Sequence, residues 1–505
     1  MHYNLPAALR QGKERVWIVF LLFFYFLVRL WGLPGETVNR LYDEGVHLAL
    51  MQMLAMRRGE LYTDFLFIHP PGVIWIGSWL WFKVHGSLFA IRLLGILFSS
   101  LVLAPLYSIA RKLYGSAGAL IALALVALSP GFGGWMGRYL MLEQPANVAI
   151  YLSLWILLRK DGSRGGAVIA GMLMAADFLI KETAAPAAFA IAIALIYCGG
   201  GAFSALPGTR LQDRIRIALT RNFSWLWFTI GFLSLFIPIF LYLAHIPGYL
   251  FDTFKINAEE KFFWNLRPYE LINGFYQMPL PMTFGVVGVF LMIIRPQSSE
   301  ERFLGVFALG LDLIMLITPR RFYWRYLLHA MPVFCLGFAA WLARWRARPR
   351  SLVIKRIVYS LLCLLILTDL VSFILSFTVE EKYPIGWNLA LETLQNQPGP
   401  LFTLDPIWSA ASHLPLYPWK SACDVVALGQ YGDVTASELT NVAGKCPTVL
   451  LNKLTMQNLP RSTYSYILKN YHSVYSFGKP GSAYYVEVLS RNRISLPLPG
   501  SWSAK

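Results

Sequence analysis

Long apolar runs separated by short stretches rich in Arg and Lys set the pattern of this 505-residue chain. A helix needs about 20 mostly apolar residues to cross a bilayer. Eleven runs approach that length, at 16–31 and at about 87–110, 116–134, 145–158, 166–180, 184–199, 223–244, 281–294, 303–318, 326–343 and 357–378. Arg10, Lys13 and Arg15 precede the first run, as in a signal peptide, but no small-residue cleavage site follows it, so the run reads as an anchor.

Between the first two runs lies a loop of roughly residues 32 to 86. Its first half predicts a helix from about Leu41 to Arg58. Its second half, Gly72 to Val84, is Trp-rich and apolar but too short to span, which suits a helix lying in the interface. A second long loop, 245–280, is rich in aromatics and carries Asp252, Glu259, Glu260 and Glu270; it is a candidate cover for a site. After about residue 379, Pro, Ser and Asn become common and short β-type runs appear, such as Thr448-Val449-Leu450-Leu451 and Tyr484-Tyr485-Val486-Glu487-Val488. The pattern predicts a polytopic α-helical membrane domain over 1–378 and a small α/β domain over 379–505. No repeat of 20–50 residues is evident.

Composition sharpens the class. Hydrophobic residues make up 56% of the chain and charged residues 14%, against about 45–50% and 25% in soluble domains. Mean hydropathy is +0.52. A soluble cytosolic enzyme and a disordered chain are both excluded. The net charge of +17 suggests nucleic acid at first. Lys and Arg gathered in loops that hold membrane orientation explain it better, with no nucleic-acid partner. Basic residues are densest in the segments that become cytoplasmic if the N-terminus is inside: Arg111, Lys112, Arg159, Lys160, Arg164, and the run from Arg344 to Arg356. The bias predicts a cytoplasmic N-terminus, with the 32–86 loop and the C-terminal domain on the outer face. Compact size points to a bacterial plasma membrane. Of the five cysteines, Cys198, Cys335 and Cys363 lie in apolar runs; Cys423 and Cys446 could pair if their domain faces an oxidising compartment.

With this topology the ionisable residues gather on one side. Asp43, Glu44, His47, His69, Arg138, Glu143, Lys181, Glu182, Arg320, Arg321 and Arg325 all fall in outer loops or at span ends facing them. Charges at membrane depth are costly and mark function. In Tyr42-Asp43-Glu44-Gly45-Val46-His47, helical spacing aligns Asp43 with His47 and turns Glu44 away, so only one of the two carboxylates serves a reacting atom. His69-Pro70-Pro71-Gly72 is a stiffened turn that would hold an imidazole near the bilayer surface. Arg138 and Glu143 stand at the mouth of the fourth run, and Arg325-Tyr326-Leu327-Leu328 opens the tenth. An arginine fork suits phosphate.

These four elements, in this order, resemble the GT-C superfamily of membrane glycosyltransferases, above all the protein O-mannosyltransferases and the lipid A aminoarabinose transferases. The resemblance covers about residues 10–345. It implies a polyprenyl-phosphate-linked sugar as donor and Asp43 as the base that deprotonates an acceptor hydroxyl, with inversion at the anomeric carbon. The candidates to stabilise the leaving phosphate are Arg325, Arg138 and His69, with Lys181 and Arg321 behind them. Glu44 and Glu143 are candidates to orient the acceptor, which is a protein, a lipid or a glycan, or to hold a metal. A divalent cation on Asp43, Glu143 and His69 is the cofactor left open. Glu143 stands where relatives often have Asp, and the tail shows no three-fold lumenal repeat. The competing function is a transporter or flippase of a lipid-linked sugar, disfavoured because the polar residues gather at one face and not mid-span.

Overall fold

The computed structural model describes residues 7–31, 33, 42–160, 162–198, 223–259, 264–319, 322–347, 351–378, 385–419 and 434–491. The protein is a helical membrane bundle with a small sheet near its C-terminus. Each expected run falls on a helix. Leu88–Leu128, Ser224–Ala244 and Leu352–Ile374 are each long and apolar enough to cross a membrane unaided.

Several boundaries differ from the sequence reading, for local reasons. The second run is helical over Leu88–Leu101 and restarts as Leu103–Leu128. Pro105 accounts for the break, since it has no N–H to return to Leu101. Gly115, at φ 70°, turns the chain between the second and third runs, where L side chains are rarely tolerated. The third run ends in an irregular turn, Pro130–Trp135. The 264–294 stretch is bent by 112° between Trp264–Gln277 and Pro281–Ile294. Helix Arg164–Asp177 crosses Ser224–Ala244 where Gly171 abuts the Phe228 carbonyl and Gly231 abuts Val168, a close approach that only small residues permit.

At one end of the bundle, ion pairs stitch neighbouring helices together: Glu14 to Arg111 at 3.1 Å, Lys112 to Glu300 at 3.4 Å and Glu301 to Arg344 at 2.5 Å. The other end carries the 42–86 segment. Its first helix, Tyr42–Ala55, is buried along most of its length. Its second, Gly72–Lys83, buries Val73, Ile74 and Trp81 but exposes Ile76, Trp79 and Phe82, as an interfacial helix does.

In the C-terminal part, β1 (Leu401–Phe402) runs parallel to β2 (Thr448–Asn452). β4 (Val486–Ser490) lies antiparallel to β2 and to β3 (His472–Phe477), in the order β1-β2-β4-β3. Strand β2 falls on the first β-type run read from the sequence, and β4 starts two residues into the second. Helix Ile407–Ser412 packs on Tyr42–Ala55: Ile407 presses against Gly45, and Ser409 donates to Gln52 Oε1 at 3.0 Å. One apolar cluster joins Val46, Leu50 and Met53 to Trp387, Ile407 and Trp408. The C-terminal part therefore rests directly on the helix that bears Asp43. Cys446 is a buried free thiol, pushed up to about 12 chiefly by burial; Cys423 lies outside the described residues.

Candidate active site

The first turn of Tyr42–Ala55 sends its two carboxylates to different partners, as a 100° step per residue demands. Glu44 turns inward. Arg92 Nε donates to Glu44 Oε1 at 3.2 Å and Nη2 donates to Oε2 at 3.0 Å, with both side chains fully buried. The Leu140 N–H also donates to Glu44 Oε1, at 3.3 Å. Glu44 is thus engaged by Arg92 and the Leu140 backbone, away from Asp43.

Asp43 faces the opposite way and accepts a hydrogen bond from Arg325 Nη1. The Asp43 side chain is 40% exposed and that of Arg325 17%. Arg325 Nε stands 3.3 Å from Glu143 Oε1, and Lys181 Nζ donates to the same oxygen at 2.5 Å. Glu143 and Lys181 are sealed, at 1% and 2% exposure. An alternating chain of charges, Asp43–Arg325–Glu143–Lys181, therefore runs from the accessible end of the bundle inward. Aromatic faces flank it, with Arg325 4.7 Å from the Tyr323 ring centre and Lys181 5.3 Å from that of Tyr326. Burial works against ionised Asp43, but the Arg325 charge and hydrogen bond, helped by His47, hold it below the usual carboxylate range.

A second pair lies beside the chain. His69 Nδ1 donates to Glu182 Oε2 at 2.9 Å, and the Tyr62 hydroxyl donates to the His69 carbonyl at 2.7 Å. Burial opposes the Glu182 charge, yet His69 outweighs it and brings the carboxyl down to about 2. His47, one turn beyond Asp43, donates from Nδ1 to the Leu140 carbonyl at 3.1 Å. Burial lowers His47 to about 4, so it is neutral at ordinary pH. Phe67 lies edge-on to both imidazoles.

Of the candidates read from the sequence, Asp43, Glu143, Lys181 and Arg325 meet in one chain of contacts, and His69 stands on Glu182 next to Lys181. Arg138 is fully buried, 5.9 Å from the Tyr139 ring centre, with Arg29 packed over the neighbouring Gly137. Arg321 lies outside the described residues. The sequence reading gave no role to Glu182, Arg92 or Arg29. Arg92 and Arg29 each stand inside an apolar run, which was the available signal.

The proposed metal set does not fit this arrangement. The Arg325 guanidinium stands between Asp43 and Glu143, where a cation would have to sit, and the His69 nitrogen nearest a carboxylate is used on Glu182. Among the described residues, no three His, Cys, Asp or Glu side chains converge on a metal position.

A sequence profile of the family described as dolichyl-phosphate-mannose-protein mannosyltransferase matches residues 68–204. No curated protein sequence matches the chain. ArnT from Cupriavidus metallidurans, solved with undecaprenyl phosphate bound, superposes with a TM-score of 0.63 at 14% identity, covering 94% of this chain and 98% of that one. Its apo form gives 0.64 at 13%, covering 95% and 98%. The Archaeoglobus fulgidus oligosaccharyltransferase, in complex with zinc and sulfate, gives 0.54 at 13%, covering 96% of this chain and 74% of that one. The bundle and its C-terminal part thus have the GT-C fold of integral-membrane glycosyltransferases, and the chain resembles that superfamily in both profile and architecture.

Proposed function

We propose that this protein transfers a sugar from a polyprenyl-phosphate-linked donor to an acceptor hydroxyl at the outer face of a bacterial plasma membrane. The chain Asp43–Arg325–Glu143–Lys181 carries the reading, because it sets a carboxylate base beside cations suited to phosphate. The undecaprenyl phosphate held by ArnT and the matched mannosyltransferase profile support the donor class.

In this reading the lipid enters between helices and its phosphate settles against Arg325, with Lys181 and His69 near. Asp43 takes the proton of the acceptor hydroxyl while that oxygen forms a bond to the anomeric carbon. The carbon–oxygen bond to the phosphate breaks, and its electron pair leaves with the polyprenyl phosphate. Cations held beside that oxygen stabilise the charge it develops. One displacement inverts the anomeric configuration. No step needs a metal, and the acceptor is a protein, lipid or glycan hydroxyl.

The test is sugar transfer by purified protein from radiolabelled polyprenyl-phosphate sugars to a membrane extract, wild type against Asp43→Asn. Transfer that falls ~10²-fold or more in the variant supports the assignment of the base. Full activity in Asp43→Asn removes it. Movement of lipid-linked sugar across liposomes without any transfer would replace the enzyme reading with a transporter.

A further inference from the structure

The cations best placed to receive a donor phosphate are already held by carboxylates: Arg325 by Asp43 and Glu143, Lys181 by Glu143, His69 by Glu182. Arg325 Nη1 is occupied by Asp43, so a phosphate that takes that edge of the guanidinium must displace the carboxylate. The sealed link between Glu143 and Lys181 is a poor place to start, because breaking it leaves a buried charge uncompensated. The contact between Asp43 and Arg325 is different. It is the exposed end of the chain, with Asp43 40% exposed. Arg325 is also an arginine, whose guanidinium can present one edge to Glu143 while another turns to a new anion.

We propose that the donor's phosphate binds by replacing Asp43 on Arg325, so that arrival of the lipid phosphate releases the base. The inference rests on the proposed function and adds to it a regulation of the same site. In the resting state Asp43 is clamped, and a clamped carboxylate is a poor proton acceptor. Once Arg325 turns to the phosphate, Asp43 loses the partner that holds it ionised and becomes the stronger base. Linkage makes the coupling reciprocal: whatever factor the phosphate adds to proton affinity at Asp43, protonation or removal of the Asp43 charge adds to phosphate affinity. The acceptor hydroxyl then meets an active base only when donor is bound.

The experiment measures equilibrium binding to the purified full-length chain in nanodiscs, with undecaprenyl phosphate and, separately, inorganic phosphate as probes. Asp43→Asn and Asp43→Ala are both expected to bind undecaprenyl phosphate about tenfold more tightly than wild type, although both lose transfer. Arg325→Gln is expected to lose about tenfold or more. A purely structural contact predicts weaker binding or none of this pattern. Unchanged or weaker binding in both Asp43 variants, with wild-type melting and elution, overturns the exchange. A gain with undecaprenyl phosphate, whether or not inorganic phosphate shares it, supports it. A gain confined to inorganic phosphate severs the link to the donor lipid and overturns the proposal. Wild type that binds no undecaprenyl phosphate overturns the donor reading itself, an outcome distinct from wild type that binds while the Asp43 variants show no gain.

Discussion

Glu44 and Arg92 are joined by two hydrogen bonds, at 3.2 and 3.0 Å, with neither side chain exposed to solvent. Glu44 Oε1 also receives the Leu140 N–H, and His47, three residues along the helix, donates to the Leu140 carbonyl. Helix Tyr42–Ala55 thus grips both backbone groups of one residue. Leu140 lies three residues before Glu143, so this grip fixes the carboxylate that meets Arg325 relative to the one, Asp43, that starts the chain of charges.

Removing one member of that buried pair leaves the other charged in an apolar setting. Glu44→Ala or Arg92→Leu is expected to cost roughly 3–5 kcal/mol, and the double substitution much less than the sum. Thermal unfolding in detergent across the four-variant cycle checks this. Additive losses would mean that the two side chains do not share their energy.

The Glu143 carboxylate faces two cations, and its loss leaves Lys181 and Arg325 to repel each other in a largely dry setting. Glu143→Ala should destabilise by roughly 3–5 kcal/mol. Adding Lys181→Met should restore most of that stability while leaving transfer impaired, which separates folding from chemistry. Recovery of transfer together with stability would confine Glu143 and Lys181 to scaffolding.

Much of this was legible in the sequence. Apolar run length located the helices, and the spacing of Asp43, Glu44 and His47 foretold that the two carboxylates would part. What the sequence hid were partners supplied from far along the chain. Arg92 reads as a stray charge in an apolar run until the fold sets it on Glu44, 48 positions away. Glu182 reads as a neighbour of Lys181 until His69, 113 positions away, meets it. The metal that the sequence leaves open meets the same limit: two carboxylates and an imidazole suggest a cation in one dimension, and in three the Arg325 guanidinium stands between Asp43 and Glu143.

Acid should weaken the site in two stages. His47 titrates at about 4 in the fold against an ordinary 6.5, so the unfolded chain binds the extra proton first, and its contribution is lost as pH falls from about 6.5 to 4. That loss is on the order of 3 kcal/mol. Glu182, at about 2 against 4.5, contributes above the higher value and loses its contribution between the two. Melting temperature in detergent should therefore decline below pH 6.5, and His47→Gln should make the first stage shallower while leaving the second unchanged. A melting temperature of wild type that is level from pH 7 to 4 would contradict the neutral, buried His47.

The turn that presents His69 gives a contrast between two glycines of one helix. Gly72 donates its N–H to the Leu179 carbonyl at 2.6 Å, and a Cβ there would meet that same carbonyl oxygen at 2.6 Å. Backbone cannot move aside cheaply, and overpacking of this kind costs roughly 1–3 kcal/mol. Gly72 follows His69 by three residues and Leu179 precedes Glu182 by three, so pushing them apart strains the link between His69 and Glu182. Gly77, one and a half turns on, would meet only the flexible end of Met51. Gly72→Ala is therefore expected to lower both melting temperature and transfer several-fold, and Gly77→Ala to leave transfer near wild type. Parallel assays of the two variants decide the point: equal tolerance would mean that the two segments can separate without disturbing the imidazole.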